Sequence, residues 1–229
     1  CDMGGGFYID LGEEEVNLNP FTFIPQGNDP ESFDERNNQF EAIAALIALM
    51  ADSSGQAGYT ETDYKLIKYA GLYAWEINGI NAGLDDVFKY LAEFPKWGGE
   101  EVQKLCTGSK NLEDDVCIID FTQRAKKIAF NLHEWTSEGR YGKWFNGPAS
   151  IDLVNEQVIV LELDKLKRIP ILFKVVSLAL MNAMTATLYK LPTDIKKFCL
   201  FEELGLILSE DNSLYRSVLN ELYRRGRKN

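Results

Sequence analysis

Cysteine and histidine are scarce in this chain, and one phosphate-binding pattern is missing from it altogether. Four of the 229 residues are cysteine (Cys1, Cys106, Cys117, Cys199) and one is histidine, His133. No two cysteines stand in C-x-x-C spacing, which argues against a structural zinc site. So few unclustered thiols suit a reducing cytoplasm better than secretion. The chain opens CDMGGG, without a basic segment leading into an apolar one, so nothing there reads as a signal peptide. The apolar run from Ile169 to Leu191 is interrupted by Pro170, Lys174 and Asn182 and reads as a core helix, not a membrane span. Nowhere does G-x-x-x-x-G-K-[ST] occur, so the backbone cradle and lysine that hold a nucleotide's phosphates are absent from these residues.

What is present is enough to build a core. Hydrophobic residues make up 45% of the chain and aromatics 12%, a composition that excludes wholesale disorder. The net charge of −11 is unevenly spread. Residues 1–120 hold 7 Lys/Arg against 23 Asp/Glu, and residues 121–229 hold 17 against 12. That asymmetry predicts two regions with different surroundings, and the overall acidity argues against simple nucleic-acid coating.

The glycines Gly4–Gly6 lead into Phe7-Tyr8-Ile9-Asp10-Leu11, an alternating segment expected to form a strand. They precede that strand, whereas a G-x-G-x-x-G dinucleotide loop follows one. Helices are expected at Glu31–Met50, Glu61–Asn78 (Thr60 as N-cap with Asp63 in a near capping box), Leu84–Phe94 and Leu112–Trp135. Residues 30–138 thus read as an acidic, all-α subdomain inserted into an α/β core made of 1–29 and 139–229. In that core, Ser150–Leu153 and Gln157–Glu162 read as a hairpin. A crossover helix at 168–190 leads to a buried apolar strand, Lys197–Glu203, which would pair in parallel with 157–162. Cys199 would be a buried small hydrophobe within it. Trp135, Trp144 and Phe145 read as core or subdomain-interface anchors, and His133, with no nucleophile nearby, as structural. An amphipathic helix is expected at 211–225, with Leu214, Val218, Leu219 and Leu222 on one face.

The chemistry-bearing feature is the pair Glu202-Glu203 at the carboxyl end of the 197–203 strand. An apolar strand that delivers two carboxylates after a strand-helix crossover is how a RecA-like ATPase places its magnesium-side and water-activating groups. Two glutamates at a strand-to-helix turn also suit a helix N-terminus with no chemistry at all. The Arg224-Arg225-Gly226-Arg227-Lys228 run is open in the same way. It is either a solvated helix end or a contact to a neighbouring subunit's nucleotide or to DNA.

Five segments, in order, resemble the C-terminal motor region of the TraC family of conjugative type IV secretion ATPases. GGGFYIDL followed by LNPF (18–21) resembles the strand and turn after that family's P-loop helix. GRYGKWFNGPASIDL (139–153) is similar to its glycine-aromatic turn, and VIVLELDKLK (158–167) to the strand that follows. KFCLFEELGLIL (197–208) resembles the Walker B strand, and LYRRGRK (222–228) the arginine-rich helix after it.

The resemblance implies a helix-rich α/β protein: a partial RecA-like P-loop-NTPase core with a large all-α insert. It implies Mg-ATP as the family's cofactor, Glu203 as the water-activating residue, Glu202 on the magnesium side, and Arg224 and Arg225 as intersubunit or substrate contacts. It further implies a cytoplasmic location peripheral to the inner membrane, type IV secretion components as partners, self-association, and work in pilus assembly or DNA or protein transfer. The departures are equally specific. Glu202 stands where Asp is usual, Leu204-Gly205 replaces Ala-Trp, and both ends read as cut, with the P-loop expected before residue 1. On that reading this chain alone does not hydrolyse ATP or bind it tightly. The competing expectation is a non-enzymatic remnant or adaptor that binds partner proteins through its acidic helical region.

Overall fold

The computed structural model describes residues 6–14, 16–52, 58–96, 113–151, 153, 158–192, 196 and 198–202, with backbone alone for 113–117 and 189–190. These form a helix-rich assembly around a small parallel sheet. Strand β1 is Gly6–Asp10 and strand β2 is Val158–Glu162. The helices are α1 (Pro30–Ala51), α2 (Glu61–Asn78), α3 (Leu84–Ala92), α4 (Glu113–Leu132) and α5 (Pro170–Lys190).

Local chemistry explains the helix starts. Asp29 caps α1 by accepting the Ser32 backbone N–H at 2.9 Å, with Pro30 in the first turn where its missing N–H costs nothing. At α2 the Thr60 backbone N–H donates to Asp63 at 2.7 Å, the reciprocal half of the capping box expected from the sequence. Gly83 and Asp86 repeat the arrangement at α3, at 2.9 Å. Gly79 ends α2 at φ 55°, a conformation that favours glycine.

β1 and β2 are parallel, in register from Gly6 opposite Val158 to Asp10 opposite Glu162. Between them in sequence lie α1 to α4, so the crossover is the helical region itself. This differs from the expected pairing of 157–162 with 197–203. Residues 198–202 carry no strand; Phe198 and Leu200 are 87% and 70% exposed, and Cys199 is exposed rather than buried. The turn of the expected hairpin, 154–157, lies outside the described residues, and 150, 151 and 153 carry no strand. Ser150 bonds to Asn17, donating its N–H to the Asn17 carbonyl at 3.0 Å and accepting the Asn17 N–H on its hydroxyl at 2.8 Å. An apolar run of four or five residues fixes neither partner nor burial, because only a distant segment supplies the pairing groups.

One buried cluster runs from Ile9 and Leu11 of the sheet side through Leu46, Ile47, Leu66, Leu91 and Ile128 to Val175 and Val176 of α5. Each such side chain contributes about 1.5–3 kcal/mol by leaving water. Trp135 is the largest; its indole N–H donates to the Met50 carbonyl at 3.0 Å, and its ring packs against Tyr141 and Phe145. Trp144 and Phe145 are buried with it, as the sequence reading expects. His133 lies edge-on to Phe88, centroids 6.0 Å apart. Pro170–Leu188 is long and apolar enough to cross a membrane by composition, yet most of it is buried within the protein.

Candidate functional site

The carboxyl ends of β1 and β2 gather the charged groups. Asp10 and Glu162 end the two strands in register, and the Leu11 N–H continues the ladder by donating to the Glu162 carbonyl at 3.0 Å. Beyond β1 the chain turns: Gly12 donates to the Asp10 carboxylate at 2.9 Å, and Glu13 and Glu14 follow. Beyond β2, Asp164 opens a 3-10 turn, its N–H held by the Glu162 carboxylate at 2.9 Å. From that turn Lys165 reaches back to Asp10 at 2.6 Å and also pairs with Glu13.

The electrostatics follow from this contact. The Lys165 ammonium, with the Gly12 N–H, holds the Asp10 carboxyl below the usual carboxylate range. Asp10 and then Glu13 raise Lys165 in turn. Asp164 is lowered by the hydrogen bond from Lys167. Gly12 is required by the close approach, because a Cβ there would stand 2.3 Å from the Lys165 Cβ.

A second constellation is built from asparagines. Asn19 is fully buried; its amide donates to the carbonyls of Ala82 and Gly147, both at 2.7 Å, and its carbonyl accepts the Phe21 N–H at 3.1 Å. Asn17 donates to the carbonyls of Asn146 and Lys143, and Leu18 donates to the Trp144 carbonyl at 2.6 Å. Asn146 holds the carbonyls of Trp135 and Gly142 at 2.9 and 3.0 Å, and accepts the Asp85 N–H at 3.1 Å. The LNPF turn is thereby tied to the glycine-aromatic turn of residues 139–150, next to the β1–β2 pair. Three of the five segments picked out in the sequence thus meet, the first touching 158–167 through its strand and 139–150 through its LNPF turn.

The expected site residues are not among them. Glu202 lies in a turn, exposed, with no hydrogen bond or ion pair among the described residues. Glu203, Arg224 and Arg225 lie outside the described residues, as does the expected helix 211–225. Asp10, Lys165 and the asparagines were passed over in sequence reasoning. The N-P dipeptide at 19–20 marked a turn, but nothing marked the side-chain bonds that span it.

The pattern of the TraG P-loop domain family matches residues 1–215 and so runs through both strands, all five helices and both constellations. The chain belongs to the TraG P-loop domain family. Protein TraC of Escherichia coli (strain K12) is 23% identical over 228 residues, covering all of this chain and 23% of that protein. The chain therefore spans about a quarter of that relative's length. No solved structure matches it.

The donor set at the strand ends is mostly acidic. Asp10, Glu13, Glu162 and Asp164 are carboxylates, and Lys165 is already shared between Asp10 and Glu13. Such a set repels a polyphosphate and offers it no backbone cradle. Among the described residues no group of three or more His, Cys, Asp or Glu is arranged to hold a metal.

Proposed function

We propose that this chain is part of a TraC-like motor ATPase of a conjugative, type IV secretion machine, one that powers pilus assembly or the transfer of DNA or protein. The observation that carries this reading is the match of the TraG P-loop domain pattern to residues 1–215. The parallel β1–β2 pair, with its carboxylates at the strand ends, supports it, since open α/β folds place their sites at the carboxyl ends of parallel strands.

In this proposal residues 30–138 form an all-α subdomain set into a RecA-like core of 1–29 and 139–229. Glu203 orients the attacking water and Glu202 faces the magnesium side. Arg224 and Arg225 contact a neighbouring subunit or the transported substrate. The motor works at the cytoplasmic face of the inner membrane with other secretion components. Because the 229 residues contain no G-x-x-x-x-G-K-[ST], hydrolysis needs a segment that supplies one.

The test is phosphate release from Mg-ATP by three proteins: this chain, this chain joined behind a P-loop-bearing segment, and the joined protein with Glu203→Gln. No turnover from the first, turnover from the second, and lost turnover with retained ATP binding in the third is the expected result. Unchanged turnover in Glu203→Gln removes the role given to that residue. Turnover by the chain alone overturns the division of the site.

A further inference from the structure

Helix α4 presents two unlike faces. Ala125, Ile128 and Leu132 are buried in the core, whereas Ile119, Gln123, Lys126, Lys127 and Phe130 are all exposed. At about 100° per residue these five fall within one arc of roughly 100°, on a stripe about 16 Å long between Ile119 and Phe130. Phe130 is 82% exposed and Ile119 56%. A single exposed apolar side chain is ordinary. Two apolar ends with two lysines between them on one helix face form a patterned surface. Neither Lys126 nor Lys127 has a hydrogen bond or ion pair among the described residues. Asp120, at one edge of the stripe, is paired with Arg124 at 2.7 Å, and Glu134 lies one turn beyond Phe130.

We propose that this face of α4 docks an acidic amphipathic helix of a partner protein. Phe130 and Ile119 would anchor the partner's apolar stripe, and Lys126 and Lys127 would meet its carboxylates. Charge decides the occupant. In a chain of net charge −11, two unengaged lysines make a local positive site that selects acidic groups and rejects basic ones. A second copy pairing through the same face would set lysine against lysine. Nucleic acid and anionic lipid are polyanions bound by many cations at once, and two lysines are too few to hold either. An apolar helix stripe laid along anchors at these intervals is a recurring recognition mode. The inference is independent of whether the chain takes part in ATP hydrolysis.

The probe is a fluorescein-labelled helical peptide with leucines at i, i+4, i+7 and i+11 flanked by glutamates, titrated with the 229-residue chain. A scrambled peptide and a lysine-for-glutamate peptide serve as controls. Saturable binding of the acidic peptide alone is expected. Phe130→Ala should weaken it about tenfold or more, as truncating a central aromatic anchor does. Lys126→Glu with Lys127→Glu should abolish it and transfer binding to the lysine peptide. All three positions are exposed, so the fold should persist, checked by circular dichroism. Four results would each overturn the proposal: no binding, equal binding of the scrambled peptide, Phe130-dependent binding to anionic vesicles instead, or self-association lost in Phe130→Asp.

Discussion

The Lys165 ammonium lies 2.6 Å from the Asp10 carboxylate, joining side chains 155 positions apart at the ends of two paired strands. The contact closes the β1–β2 pair at the end where the chain leaves both strands. It also sets the geometry of the turn at Gly12, because Asp10 accepts the Gly12 N–H on the same carboxylate.

This lock should show in the pH dependence of stability. Asp10 is lowered in the folded state, so its contribution is complete above the ordinary carboxylate range and is lost as pH falls through the folded value. Lys165 is raised, so its contribution holds below the ordinary lysine value and is lost as pH rises through the folded one. Lys165→Met should therefore lower the urea midpoint at neutral pH, and the gap to wild type should close in strong acid. A gap of the same size at pH 7 and pH 2 would show that the side chain acts through packing and not charge.

Gly12 tests the same junction sterically. A Cβ placed 2.3 Å from the Lys165 Cβ meets a fixed part of that side chain, not its flexible end. Gly12→Ala should destabilise by about 1–3 kcal/mol, the usual cost of overpacking. Lys165→Gly in the same chain should recover part of the loss, making the two changes non-additive in urea unfolding. Strict additivity would mean that the loop moves aside instead.

The helices were legible because their information is local. Phe40, Ile43, Leu46, Ile47 and Met50 fall at helical spacing in α1, and the Thr60 to Asp63 box is complete within four residues. Strand pairing was not, since Gly6 and Val158 pair from positions 152 residues apart, with the helical region between them. The run Phe198-Cys199-Leu200 has strand composition, yet Phe198 and Leu200 are exposed. Composition reports what a segment is able to bury and is silent on whether a neighbour is there to cover it. The strand-end charges escaped for a related reason: Asp10 gains meaning only from Lys165, and the sequence holds both among many other acids and lysines.

Asn19 offers a test of the asparagine network. Replacing it with alanine removes partners from the buried carbonyl of Ala82 and the buried Phe21 N–H, and from the carbonyl of Gly147. Asn19→Ala should lower stability by about 2–4 kcal/mol, since each buried polar group left unpaired costs 1–3. Asn19→Asp should cost more at neutral pH, because it turns a carboxylate toward two carbonyl oxygens, and less in acid once that carboxyl is protonated. Thermal unfolding of the three proteins at pH 7 and pH 4 measures both effects. A loss below about 0.5 kcal/mol for Asn19→Ala, the scale of an ordinary surface change, would deny the residue its joining role.

Asp63 ties α2 to α4. Burial works to raise its pKa, but the Thr60 N–H and hydroxyl and the Arg124 guanidinium overcome this and hold it low. Arg124 reaches Asp63 at 3.3 Å and Asp120 at 2.7 Å, so it bridges a buried acid and an exposed one. Asp63→Ala removes the cap and strands Arg124 beside Asp120 alone; a loss of about 1–3 kcal/mol is expected from the cap and the unpaired partners together. Arg124→Met keeps the cap and should cost less. Because the folded pKa of Asp63 is depressed, its contribution is present at neutral pH and disappears as pH falls through that value. Wild type and Asp63→Ala should therefore converge in acid. Amide exchange should find faster opening of the first turn of α2 in Asp63→Ala, with the last turn unchanged. Equal acceleration along the whole helix would mean that Asp63 holds α2 by its packing against α4 and not by capping its start.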